Sequence, residues 1–124
     1  MNIAIVGSRN YPDKKHVLDY VKKLPRDTVV VSGGAPGVDT WAVEAAKKRG
    51  LGTMVFPAEW SKYGKSAGFR RNYEVVMAAD KVMAFTTGSK GTANTIMLAK
   101  RYGKEVIVKR VKNQDEPDEQ MRLL

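Results

Sequence analysis

Three glycine-bearing turns each follow a short run of β-type apolar residues. Ile3–Val6 leads into Gly7-Ser8-Arg9. Val29–Val31 leads into Ser32-Gly33-Gly34-Ala35-Pro36-Gly37-Val38-Asp39. Val82–Phe85 leads through two threonines into Gly88-Ser89-Lys90-Gly91-Thr92. Glycine lets the main chain approach a ligand closely, and a helix that starts behind such a turn points free N–H groups at an anion. Together the three turns read as one floor for a nucleotide or phosphate.

The side chains on the turns fit that chemistry. The Ser8 hydroxyl can bond a phosphate and Arg9 can fork onto one. The glycines of the second turn are expected to leave main-chain amides free for an anion. Asp39 falls in a first helical turn, where it complements the macrodipole, orders the loop or grips a ribose hydroxyl; the structural role is preferred. In the third turn, Thr92 either caps a helix or bonds phosphate, and Asn94 and Thr95 point one turn further in. Phe69-Arg70-Arg71-Asn72-Tyr73-Glu74 opens another helix. Two arginines at a helix start oppose the macrodipole, which a bound phosphate relieves; an ion pair to Glu59 or Glu74 is the alternative.

Other chemistries lack their residues. No Gly-Lys-Ser/Thr follows the second turn, and its glycines do not have the dinucleotide-fingerprint spacing. No carboxylate pair has metal-ligand spacing, so neither metal nor cofactor is expected. There is no cysteine, and His16 is the single histidine, expected on the outer side of a helix with no role.

The elements that must position these residues follow from periodicity. Strands are expected at 3–6, 28–31, 53–56, 81–85 and 105–109. Helices are expected from Pro12 to Leu24, Val38 to about Gly50, Phe69 to Ala79 and Thr92 to Tyr102, with 58–68 as a long loop. Strands alternating with helices imply a three-layer, doubly wound, Rossmann-like α/β domain with a mostly parallel sheet of about five strands. Ligands of such sheets bind beyond the carboxyl ends of the strands, where all three turns fall.

The 124 residues suffice for one domain. Residues 1–112 are read as that domain and 113–124 as an acidic tail or short terminal element, with Asp115, Glu116, Asp118 and Glu119. The net charge of +9 favours anionic partners, although many lysines fall where helix outer faces belong. No stretch is long and apolar enough to span a bilayer, so no membrane partner is expected and the location is read as cytoplasmic.

Taken in order, Ile3–Arg9, Val29–Trp41, Phe69–Asn72, Ala79-Asp80 and Gly88–Ala99 resemble the SLOG superfamily, most closely its small YspA-type branch. Two better-understood branches pull apart. In LOG phosphoribohydrolases, which split the N-glycosidic bond of nucleoside 5′-monophosphates, an arginine assists and a glycine-rich turn is followed by two glutamates. Arg71 matches the arginine and Gly91-Thr92 the turn, but the glutamate positions hold Asn94 and Thr95. The resemblance thus implies catalysis only if Glu74 or Asp39 replaces them, with Arg71 assisting. The DNA-processing protein A family is similar at Gly7-Ser8-Arg9 and Ser32–Asp39, and implies single-stranded DNA binding. Phosphate turns kept without the catalytic carboxylates fit a protein that senses or sequesters a nucleotide or nucleotide-derived ligand. Relatives commonly pair through helices, and Trp41 with Ala42, Ala45 and Ala46 is the expected contact of a homodimer or higher homo-oligomer.

Overall fold

The computed structural model describes residues 1–112; the acidic segment 113–124 lies outside the described residues. Five strands, β1 (Asn2–Gly7), β2 (Val29–Ser32), β3 (Gly52–Val55), β4 (Lys81–Thr86) and β5 (Glu105–Arg110), form one sheet in the order β3-β2-β1-β4-β5. Every pairing is parallel. The helices are α1 (Lys14–Lys22), α2 (Val38–Lys48), α3 (Trp60–Tyr63), α4 (Ala67–Ala78) and α5 (Lys90–Arg101). This is the doubly wound, Rossmann-like α/β architecture that the alternating pattern predicts.

The pleat divides the apolar residues of each strand between two cores. Ile3 and Ile5 of β1 meet Val17 and Val21 of α1 and Val38, Ala42 and Ala46 of α2. Ala4 and Val6 face the other way, against Val75 and Val76 of α4 and Ala99 of α5. Strands buried on both faces need continuous apolar runs, which is what β1, β2 and β4 have. The chain builds outward from β1 through β2 to β3, then restarts at β4 on the other side. The switch point therefore lies between β1 and β4, where Gly7 stands opposite Phe85.

Several boundaries differ from the sequence pattern. Helix α1 starts at Lys14 because Asp13 caps it, its Oδ1 accepting the His16 N–H at 3.3 Å. His16 is half-buried: Tyr11 Oη lies 3.0 Å from its Nδ1, and Asp13 Oδ2 lies 2.8 Å from Nε2. The segment expected as a loop contains α3 and a 3-10 turn at Gly64–Ser66, since the Glu59 carbonyl accepts the amides of Lys62 and Tyr63. Ala42 and Ala46 are fully buried against the sheet, whereas Trp41 and Ala45 of the face expected at an intermolecular contact are only partly buried.

Candidate functional site

At the switch point the carboxyl ends of β1, β2 and β4 surround a cleft of about 280 Å³. Of the residues singled out from sequence, Gly7, Arg9, Gly33, Asp39, Arg71, Asn72, Ser89, Gly91, Thr92 and Thr95 line it. Segments far apart in sequence thus meet at one place.

Asp39 organises the floor. Its buried carboxylate accepts the amides of Gly7 at 3.3 Å, Gly33 at 3.2 Å and Ala35 at 3.4 Å, joining the first turn to the second. Burial pushes its pKa up to about 6, against the opposing pull of the Ala35 amide, the Arg71 charge and the Gly7 and Gly33 amides. The Gly34 amide is also occupied, donating to Ser32 Oγ at 3.1 Å. The expectation of free amides along this turn is therefore corrected at Gly33, Gly34 and Ala35: they bond side chains of their own loop. A carboxylate ionised at neutral pH further disfavours an anion directly above them. Ser32 and Val38 are buried supports, not lining groups.

Ser8 is corrected in the same way. Its hydroxyl is buried, accepts the Thr87 amide at 3.0 Å and lies 2.8 Å from Ser89 Oγ and 3.3 Å from Thr86 Oγ1. It ties the first turn to the third and is shielded from a ligand. Ser89 in turn donates to Thr92 Oγ1 at 3.0 Å, so the Thr92 hydroxyl serves as an acceptor for the cap residue and does not itself cap the helix.

The third turn ends differently from the second. Helix α5 begins at Lys90 with Ser89 at the cap position, and no side chain caps it. Among the described residues no hydrogen-bond acceptor serves the amides of Lys90, Gly91 or Thr92, the expected state of the first helical turn. Gly88 and Lys90 stand at the rim, outside the lining. Arg110, which sequence reading passed over, lies beside Gly88: a Cβ there would come 3.0 Å from a guanidinium nitrogen.

Helix geometry separates neighbours on α4. Arg71 and Asn72 turn into the cleft. Arg71 donates to the Gly33 carbonyl at 2.8 Å and to Asn72 Oδ1 at 3.2 Å, and Asn72 Nδ2 donates to Asn94 Oδ1 at 3.0 Å. Arg70 turns outward and stacks on Tyr63, 4.1 Å from the ring centre. Glu74 is exposed and lines the same outer hollow as Tyr63 and Arg70, not the cleft. The substitute catalytic carboxylate expected there is thus on the wrong side of the helix. Among the described residues Asp39 is the one carboxylate lining the cleft. Asn10 and Val75 were missed by sequence reading; Val75 follows Arg71 by one helical turn, a spacing that could have found it.

Two glycines are required by close approach. A Cβ on Gly7 would overlap the Phe85 carbonyl and the Val38 side chain, and one on Gly33 would overlap Arg71. Gly37 has φ of 87° and lies under the Arg9 backbone.

No helix among the described residues is long and apolar enough to cross a membrane.

Comparison with known proteins agrees with this architecture. The chain is 39% identical over 116 residues to the Gene 61 protein of Mycobacterium phage D29, covering 85% of this chain and 93% of that protein. Its fold is similar to DNA processing protein A from Helicobacter pylori, a structure described for its single-stranded DNA binding mode. There the TM-score is 0.73 at 23% identity, over 99% of this chain and 71% of that one. DNA processing protein A from Streptococcus pneumoniae is similar with a TM-score of 0.70 at 22% identity, over 92% of this chain and 52% of that one. The sequence pattern of the YspA, cpYpsA-related SLOG family matches residues 1–63, which hold β1, β2 and both turns joined by Asp39. With that match and the phage relative, the chain belongs to the YspA, cpYpsA-related SLOG family.

Proposed function

We propose that the protein binds a nucleotide or nucleotide-derived ligand, with phosphate at the start of α5 between Arg71 and Arg9. One observation carries the reading: the amides of Gly91 and Thr92 at the start of α5 are unaccepted, and both residues line the same cleft as Arg71 of α4 and Arg9 of the β1 turn. Main-chain N–H groups, the positive helix end and arginine are complementary to phosphate oxygens. The cleft volume of about 280 Å³ lies at the low end for ligand sites, suiting a sugar-phosphate with its base towards the mouth. Sensing or sequestering fits better than turnover, because the lining carboxylate of Asp39 is already engaged by three amides.

Calorimetry with AMP, ADP-ribose, NAD and cyclic nucleotides tests the proposal. Saturable binding of at least one is expected, and silence from all of them up to about 1 mM would sink it. Free base released from AMP, seen by chromatography and lost in Asp39→Asn, would instead restore the phosphoribohydrolase reading.

A second reading is single-stranded DNA binding. It is favoured by exposed Trp60 and Phe69 near the Arg70–Tyr63 stack, since strand binders combine aromatic platforms with cations. The fold shared with DNA processing protein A and the +9 charge agree with it. Oligonucleotide affinity that falls steeply with salt is the expected signature.

A further inference from the structure

On the outer side of α1 and α2, away from the cleft, a groove of about 310 Å³ runs between the two helices. Its apolar floor includes Leu18, 38% exposed, and the partly buried Trp41. Arg49 holds one end together, its guanidinium donating to the carbonyls of Val21 at 2.7 Å and Leu24 at 2.8 Å. These bonds tie α2 to the end of α1, so the groove is a fixed feature of the packing.

The rim is cationic. Lys14 and Lys22 stand on the α1 side and Lys48 on the α2 side, and no carboxylate lies within ion-pair distance of any of them among the described residues. Lys14 Nζ sits 5.8 Å from the centre of the Trp41 ring, over the apolar floor. Glu44 is the single acid on the lining. It precedes Lys48 by one helical turn and offsets part of that one charge.

We infer that this groove docks an acidic amphipathic helix of a partner protein. An apolar stripe would fill the floor over Leu18 and Trp41, and carboxylates on its flanks would meet the three lysines. Lys14 and Lys22 are eight residues apart, about 12 Å along α1. That spacing matches carboxylates two turns apart on a helix lying alongside. Helix-in-groove recognition uses this division between an apolar seam and charged borders. The lining shares no residue with the cleft, so partner and ligand can be bound together.

The test uses the full chain with Trp60→Phe, which leaves Trp41 as the only tryptophan. The probe is a synthetic helix of about four turns with a leucine stripe and glutamates on both flanks. Its counterpart carries lysines in place of the glutamates. The acidic peptide is expected to shift Trp41 emission to shorter wavelength and saturate below about 100 μM. Lys14→Glu combined with Lys48→Glu should weaken binding by at least about tenfold. The two lysines are exposed, and an unchanged melting temperature would verify that the fold persists. Equal binding of both peptides, or no shift up to about 1 mM, overturns the inference. So does a concentration-dependent dimer that Leu18→Asp dissolves while neither peptide binds, which would assign the groove to a second copy of the chain.

Discussion

The Arg71 guanidinium reaches across the cleft to the Gly33 carbonyl at 2.8 Å, and Gly33 has no Cβ where the Arg71 side chain lies. The contact joins α4 to the β2 turn and fixes the cation at the cleft wall. A side chain on Gly33 and the present position of Arg71 are mutually exclusive.

Gly33→Ala should therefore displace Arg71 and cost about 1–3 kcal/mol of stability. Arg71→Ala should weaken phosphate-bearing nucleotides by roughly ten- to a hundredfold, through loss of a charge-assisted hydrogen bond. The matching bare nucleosides should lose far less. Calorimetry on paired ligands, with thermal melts of both variants, checks this. Equal losses for nucleotide and nucleoside would remove Arg71 from the phosphate site.

Asp39 gives the site a pH dependence. Its pKa is raised from 3.8 to about 6, so the folded state holds this proton more tightly than the unfolded chain. The associated stabilisation is fully present below 3.8 and is lost as pH rises through about 6. Asp39→Asn should remove that slope from the stability–pH profile. It should also destabilise the fold at neutral pH by about 1–3 kcal/mol, because one amide oxygen must replace a carboxylate that accepts three N–H groups. For a phosphodiester such as a cyclic nucleotide, affinity should rise as pH falls through about 6, because the floor loses its negative charge. A flat affinity between pH 5 and 8, on the order of the window any such titration must span, would show that Asp39 is electrostatically remote from the ligand.

Ser8 makes a separate prediction. Ser8→Ala leaves the buried Thr87 amide without its acceptor and should cost about 1–3 kcal/mol. Since Ser8 is shielded, ligand affinity should change by less than about threefold at temperatures where the variant stays folded. Denaturant melts and calorimetry separate the two effects. A large affinity loss without destabilisation would return Ser8 to the ligand shell.

Glu74→Gln should be silent in both respects. The residue is exposed on the outer side of α4, and surface changes of this kind stay within about 0.5 kcal/mol. A loss of nucleotide binding in this variant would contradict the placement of the site.

Much of the architecture is legible in local sequence. Continuous apolar runs at Ile3–Val6 and Val82–Phe85 require strands covered on both faces, and the helical spacing of Val17 and Val21 requires one side of α1 to be buried. Alternation of the two kinds of segment then puts the turns at Gly7, Gly33 and Gly91 at the same end of a parallel sheet. Arg71 is singled out in sequence as a cation expected in a first helical turn, but α4 starts at Ala67, two residues before the expected Phe69, which puts Arg71 in the second turn. Boundaries were less legible where side chains decide them, as Asp13 does at the start of α1.

Periodicity along the chain thus determined the strands, the four longer helices and the end of the sheet at which the glycine turns gather. Only the tertiary structure decided what each polar side chain faces. Arg70 and Arg71 are adjacent in sequence but separated by about 100° around a helix, so one stacks on Tyr63 and the other enters the cleft. Asp39 binds amides from two different strand ends, and Ser8 is buried by the β4 turn, residues far away along the chain. Local patterns specify how a segment folds; which hydrogen-bond donors remain for a ligand depends on neighbours that only the packed sheet brings together.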